Sequence, residues 1–282
     1  EDPDGGLVRW SAGDVSFSEG AALFNHGLME IDAVDSSFGV LAGDGPPYDT
    51  WLPGRDWDEG WYVNPLCGVH CDRPPWLYNA RAAAITARDL SAGTLALNVH
   101  SFGNLSVAPR ARLVLSGGGQ SEGRADVMKH GVLELAGGMF AMDGDSFVHG
   151  NGTIVVSGGL HSLPDIVRPN VEIEGGTVEV NSRELALLGD VTIRNGTLRF
   201  RMTSTNAVIA NATLTINGGE LLFPEVLPNA GMHPSHLHTE VRNADRAQFR
   251  VLGPFVWRGG TIRGNVDVES RLSTHLDGGP KH

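Results

Sequence analysis

The sequence predicts an all-β fold: a right-handed parallel β-helix with coils of about twenty residues and two irregular insertions. Three observations predict it. A doublet of small turn residues recurs, short alternating apolar runs flank each doublet, and no stretch reads as a long amphipathic helix. The doublets are Gly117-Gly118, Gly137-Gly138, Gly158-Gly159, Gly175-Gly176, Asn195-Gly196, Gly218-Gly219 and, about two steps later, Gly259-Gly260.

Each doublet is expected to be a tight bend between two half-buried strands, because apolar residues at alternate positions point to one face of a pleated chain. The expected inward residues are Leu95, Leu97, Val99, Leu105, Val107, Leu113, Leu115, Val171, Ile173, Val178, Val180, Val191, Ile193, Leu198, Phe200, Leu214, Ile216, Leu221 and Phe223. The expected outward residues are Glu172, Glu174, Glu179, Thr192, Arg194 and Arg199.

Gly-Gly and Asn-Gly bends also suit antiparallel hairpins, so a single copy does not decide the pairing. A hairpin pairs the two arms with each other, whereas a parallel solenoid stacks each arm on its counterpart one coil later. Equal spacing favours stacking, because each coil must place an apolar side chain over the one below. Coils of this length exceed three hexapeptides and show no hexapeptide pattern, which favours the right-handed form.

The whole chain, 1–282, is expected to form one elongated domain in which the coil pattern fails twice, at 44–78 and at 224–246. The first stretch holds every tyrosine of the chain and four of its six tryptophans, among several prolines. These rings could form a small core of the insertion, a protein contact or a platform for sugar rings. The candidate contact residues are Tyr48, Trp51, Trp57, Trp61, Tyr62, Trp76 and Tyr78.

The only two cysteines, Cys67 and Cys71, lie in the same insertion. A local disulfide in an oxidising compartment is the favoured interpretation, because a zinc site would need two more ligands and only His70 is nearby.

The second irregular stretch carries His233, His236 and His238 with Glu240, which could form a metal site if the loop folded back. Pro234 argues against a helix that would align them, so a solvated loop is favoured and no cofactor is expected.

Composition and sequons favour an extracellular protein. Four N-x-Ser/Thr sequons stand at Asn104, Asn151, Asn195 and Asn211, and a chain without an initiator methionine looks processed. The formal net charge of −12 argues against nucleic acid and anionic membrane surfaces as partners. No apolar run is long enough to cross a bilayer.

Enzymes on this kind of scaffold are common. Pectinolytic and other uronan-degrading β-helices place paired carboxylates, or a Ca2+ site with an Arg or Lys base, on one exposed strand face. Asp143 and Asp145 are the nearest such pair, but the sequence shows no second rung of acids beside them. A non-enzymatic protein is therefore favoured, with a polysaccharide lyase or hydrolase as the alternative.

The segment Gly253-Pro-Phe-Val-Trp-Arg-Gly-Gly-Thr-Ile-Arg-Gly264 resembles the Phe-x-Trp-x-Gly-Gly-Thr-Ile-x-Gly element of large right-handed β-helix repeat proteins of cell surfaces and adhesins. The resemblance covers the coils and implies an extracellular structural or adhesive role.

Neither end of the sequence shows an obvious cap, and unpaired strand edges can pair with a next molecule. We therefore expect a secreted, N-glycosylated subunit of a filament or surface layer, assembled through the β-helix ends and the aromatic insertion. The alternative is a β-helix that binds or degrades polysaccharide.

Overall fold

The computed structural model describes residues 6–17, 21–40, 76–142, 146–180, 184–201, 206–209, 212–223, 247–264, 266–270 and 274–276. These residues form β-strands and turns, and no helix occurs among them. The strands make three parallel sheets, two of eleven strands and one of ten, here named A, B and C.

The chain visits the sheets in the repeating order A, B, C. Sheet A contains β1 (Leu7–Trp10), β4 (Leu28–Ile31), β7 (Ala84–Ala87), β10 (Asn104–Val107), β13 (Arg124–Val127), β16 (Phe147–His149), β19 (Ile166–Val167), β22 (Glu184–Leu187), β25 (Asn206–Ile209), β28 (Ala247–Val251) and β31 (Val266–Ser270). Sheet B contains β2 (Val15–Phe17), β5 (Val34–Val40), β8 (Ala92–Ala96), β11 (Arg112–Leu115), β14 (Val132–Leu135), β17 (Thr153–Val156), β20 (Asn170–Ile173), β23 (Val191–Ile193), β26 (Leu214–Ile216), β29 (Phe255–Trp257) and β32 (Thr274–Leu276). Sheet C contains β3 (Ala22–Asn25), β6 (Trp76–Asn79), β9 (Asn98–Ser101), β12 (Gly119–Ser121), β15 (Met139–Met142), β18 (Leu160–Ser162), β21 (Thr177–Val180), β24 (Thr197–Phe200), β27 (Glu220–Leu222) and β30 (Thr261–Arg263).

Each strand pairs in parallel with the strand three places later, one coil further on. In sheet B, for example, Leu113 lies opposite Leu133, and Val171 lies opposite Val191. The parallel β-helix is therefore confirmed and the antiparallel alternative is wrong. One coil contains three strands rather than two arms and a bend, because a third strand in sheet A lies between successive doublets.

The core is a set of apolar columns inside the three sheets. All the inward residues expected from the sequence are buried, and none is more than 5% exposed. Glu179 lies on the outward row, as expected, opposite Arg199, but its side chain is only 7% exposed. Arg199 and Arg201 cover its carboxylate, with distances of 3.3 Å from Arg199 Nη1 to Oε1 and 3.0 Å from Arg201 Nε to Oε2.

The doublets form the corner between sheets B and C. The second glycine is left-handed in most of them, for example Gly176 at φ 66° and Gly260 at φ 88°. A β-carbon on Gly260 would lie 2.5 Å from the carbonyl oxygen of Gly219 in the preceding coil. Glycine is therefore required by both backbone conformation and the stacking distance.

A second repeated corner joins sheets A and B. Leu90, Arg110 and His130 are spaced by twenty residues and have φ values of 66°, 59° and 65°. None of them is glycine or asparagine, so turn composition alone did not reveal this corner.

The insertions fall between strands of adjacent sheets. The sequence left open whether the gap between Gly219 and Gly259 holds a full extra coil. Leu214 pairs directly with Phe255, so the two residues are one coil apart, and 224–246 lies between β27 and β28 in the chain. The first insertion was expected to run from 44 to 78, but a strand of sheet C already begins at Trp76. Trp76 and Tyr78 belong to β6, which pairs with both β3 and β9.

Glycine also makes room inside the first coils. A β-carbon on Gly93 would lie 2.6 Å from Ile31 Cγ2 and 3.1 Å from Trp10 Cζ3. Trp10 is 4% exposed and its indole Nε1 donates a hydrogen bond to the Gly13 carbonyl at 2.7 Å. The largest core side chain near the start of the helix thus fits because residue 93 has no side chain.

Candidate functional site: an aromatic surface on sheet C

The outer face of sheet C carries a group of aromatic side chains near the start of the helix. Strand register places Phe24 opposite Tyr78 and Tyr78 opposite His100, so three successive strands put rings in one row. Trp76 lies in the neighbouring outward row, and Phe102 follows β9 at the next corner. We call the set Phe24, Trp76, Tyr78, His100 and Phe102 the aromatic surface.

The rings contact one another across the coils. The Trp76 indole stacks on the His100 imidazole with centroids 4.8 Å apart and planes inclined by 20°. Tyr78 contacts Phe24 at 5.8 Å and Phe102 at 5.4 Å, both in tilted geometry. These separations lie in the range for favourable aromatic pairs, so the neighbours restrain each ring.

The surface is partly open to solvent. The Phe24 side chain is 56% exposed, and Trp76, Tyr78 and Phe102 are half-buried. Only His100 is closed off, at 7% exposed. A ring that keeps part of its area accessible can contact a ligand without any rearrangement of the strand that carries it.

Buried polar side chains fix the backbone beneath these rings. Asn25 Nδ2 donates to Asn79 Oδ1 at 2.8 Å, and Asn79 Nδ2 donates to Ser101 Oγ at 2.9 Å. Asn79 also donates to the carbonyl of Asn104 at 3.2 Å, and Asn79 itself is 0% exposed. This buried ladder links β3, β6 and β9 at the strand ends, which holds the three ring-bearing strands in one register.

Burial lowers the pKa of His100 to about 4. Its imidazole is therefore neutral at ordinary pH, and it stacks on Trp76 as an uncharged ring. The strands β3, β6, β9 and β12 contain no Asp, Glu, Lys or Arg, so the face they form carries no formal charge.

Half-buried amides stand beside the rings on the same face. Asn98 lies opposite Trp76, and Gln120 lies opposite His100. Each amide can donate and accept hydrogen bonds. The arrangement therefore combines flat apolar rings with neutral polar groups that could bind hydroxyls.

Of the contact residues expected from the sequence, Trp76 and Tyr78 lie in this surface. Tyr48, Trp51, Trp57, Trp61 and Tyr62 fall outside the described residues, as do Cys67, Cys71, His233, His236, His238, Asp143 and Asp145. Phe24, His100 and Phe102 also belong to this surface, although the sequence pattern did not indicate them. Spacing was the available signal, because Tyr78 and His100 are one coil apart, but only the strand register shows that they share a face.

Three of the four sequon asparagines are among the described residues, and Asn104 follows Phe102 of the aromatic surface by two positions. Asn104 begins β10 in sheet A, Asn151 lies at the corner between sheets A and B, and Asn195 lies at the corner between sheets B and C. All three are exposed, whereas Asn211 is not among the residues that the structure describes.

Comparisons of the chain with protein-family models, with curated proteins and with solved structures find no match. In the part of the chain that the structure covers, no three His, Cys, Asp or Glu side chains group as metal ligands would. The same part has no helix that is long and apolar enough to span a membrane. Fold and site together define a parallel β-helix with an uncharged aromatic surface.

Proposed function

We propose that the protein is a non-enzymatic structural protein of the extracellular space that binds polysaccharide through the aromatic surface. The observation that carries this proposal is the set of partly open rings on adjacent strands of sheet C, with amides beside them. Sugar rings present C–H groups on their faces, and these groups pack on the electron-rich face of an aromatic ring. Hydroxyls at the rim of the sugar can then reach Asn98 and Gln120.

The rigidity of the scaffold supports binding. Strands β6 and β9 are each paired on both edges, and β3 is paired with β6. The asparagine ladder holds the register of these three strands. A ligand that docks on side chains already held in place loses less free energy to ordering. A β-helix therefore suits a binding role that needs a fixed, extended surface.

The proposal is tested by binding to insoluble and soluble polysaccharides with Trp76→Ala and Tyr78→Ala. We expect each variant to weaken binding at least roughly tenfold, about 1.4 kcal/mol. The matched control is Phe147→Ala, which removes an aromatic ring that is 53% exposed on the outer face of sheet A. Equal binding by wild type and both variants would contradict the proposal.

The same experiment separates the alternatives. Release of new reducing ends or unsaturated products would indicate a polysaccharide-degrading enzyme. A dimer in sedimentation that Trp76→Ala dissociates would place a second copy of the chain on this surface instead of a sugar.

We further propose that the chain is secreted and N-glycosylated. Asn104, Asn151 and Asn195 are exposed, and glycans at Asn151 and Asn195 would stand on corners other than the one that carries Phe102. Expression in a secreting eukaryotic host should give a protein whose mass falls on treatment with an N-glycosidase. Glutamine at each of the three positions should remove one glycan per site, and an unchanged mass would contradict the assignment.

A second candidate function, the filament subunit, is favoured by an exposed apolar side chain in β1. Val8 belongs to the inward column of sheet A, where its neighbour Met29 is 1% exposed, yet Val8 is 45% exposed. A second molecule that stacked on β1, β2 and β3 would cover this side chain. Val8→Asp should shorten any fibres seen by electron microscopy, while monomeric rods at high wild-type concentration would contradict assembly.

A further inference from the structure

We infer that the ligand of the aromatic surface is an uncharged polysaccharide rather than a uronate-containing or sulfated one. This inference rests on the proposed function and names the class of ligand that the site takes. Its basis is the chemistry of the outer face of β3, β6, β9 and β12, together with the charge that surrounds it.

A polyanion would need cationic side chains to compensate its charge, and the described strands of this face offer none. The four strands contain no lysine or arginine. Among the described residues that directly follow these strands, Arg81 after β6 and Glu122 after β12 carry charges of opposite sign. A carboxylate or sulfate that packed against the rings would lose hydration without gaining an ion pair, which is unfavourable.

Histidine does not supply the missing charge. His100 is the one ionisable imidazole in the aromatic surface, and it is 7% exposed beneath Trp76. Burial disfavours its protonated form, so above about pH 5 it presents no positive charge to a ligand.

The wider charge of the chain also disfavours a polyanion. The formal net charge is −12, and residues 41–75, which precede Trp76 in the sequence, contain six acidic and two basic residues. An acidic polysaccharide would meet a field of its own sign, whereas a neutral chain would be unaffected by it.

Neutral hydroxyls match what the face does provide. Asn98 and Gln120 lie one strand beyond Trp76 and His100 on the same outward rows, and their amides can both donate and accept. Adjacent strands are about 4.8 Å apart, so the four strands span about 14 Å along the helix axis. A ligand of several sugar units laid along this axis would contact rings and amides in turn.

The inference is tested with the full chain and a panel of matched polysaccharides. Neutral chains, such as glucans, mannans and xylans, are compared with polygalacturonate, alginate and a sulfated galactan in affinity electrophoresis. We expect at least one neutral chain to bind at least tenfold more tightly than every acidic chain. Its affinity should change less than twofold between 50 and 500 mM salt, in keeping with an uncharged contact.

Gain-of-function variants sharpen the test. Gln120→Lys and Asn98→Lys each add a cation to the outward rows and should raise acidic-chain binding several-fold at low salt, while Trp76→Ala should abolish neutral-chain binding. Acidic binding by wild type that weakens with salt and with Trp76→Ala would overturn the inference and leave the proposed function standing. Failure of every polysaccharide to bind, or binding that Trp76→Ala leaves unchanged, would overturn both.

Discussion

The two glycines of a single doublet are expected to differ sharply in their tolerance of alanine. Gly260 has φ +88°, and a β-carbon there would lie 2.5 Å from the carbonyl oxygen of Gly219. Gly259 is not in the left-handed region, and a β-carbon there would lie 3.1 Å from the carbonyl oxygen of Asn217. Gly260→Ala and Gly259→Ala are therefore a matched pair, one residue apart in the same corner.

The magnitudes follow from those geometries. Alanine in the left-handed region costs about 1–2 kcal/mol, and forcing a methyl group against a fixed backbone carbonyl adds about 1–3 kcal/mol. We expect Gly260→Ala to lower the free energy of unfolding by about 2–5 kcal/mol. Gly259→Ala needs a shift of a few tenths of an ångström and reduces the freedom of the unfolded chain, so its net effect should stay within about 1 kcal/mol.

Urea unfolding followed by far-ultraviolet circular dichroism measures the difference, provided that both variants keep the wild-type m-value. Gly260→Asn separates the two causes, because asparagine tolerates the left-handed region but carries the same β-carbon. A smaller loss than that of alanine would identify backbone conformation as the larger cause. Equal losses for Gly259→Ala and Gly260→Ala would refute the reasoning, because stacking would then not distinguish the two positions.

Three further predictions concern stability. Burial lowers the pKa of His100 to about 4 and also lowers that of His161, so the unfolded chain binds more protons and stability should fall as pH drops from 6.5 towards 4. His100→Gln should reduce the loss of unfolding free energy between pH 6.5 and pH 4 by up to about 3 kcal/mol, as measured by urea unfolding at a series of pH values. Asn79→Ala should cost about 2–3 kcal/mol in urea unfolding because its buried partners lose hydrogen bonds, whereas the half-buried Asn98→Ala should cost much less. Gly93→Val should lower the melting temperature more than Gly260→Ala does, because the first coils leave no space for a side chain.

The coils were predictable because stacking requires an apolar residue at the same inward position of each successive coil. Val171, Val191 and Leu214 occupy one column, and each must be apolar to cover the residue below it. The same demand did not predict the shielding of Glu179, which depends on arginines that follow one coil later. Nor did it show that Leu214 and Phe255 are neighbours, because an insertion changes the spacing without changing the register.

The class of fold and most of the core follow from the pattern of residues along the chain, because inward positions and doublet corners have narrow residue requirements that recur from coil to coil. The same pattern indicated Trp76 and Tyr78 as candidate contact residues, but assigned them to an insertion. Only the tertiary structure placed them on sheet C beside Phe24 and His100, residues 54 and 22 positions from Tyr78 along the chain. The physical reason is that residues on an outward face need not pack against the core. The local hydrophobic pattern therefore does not indicate which of them lie side by side.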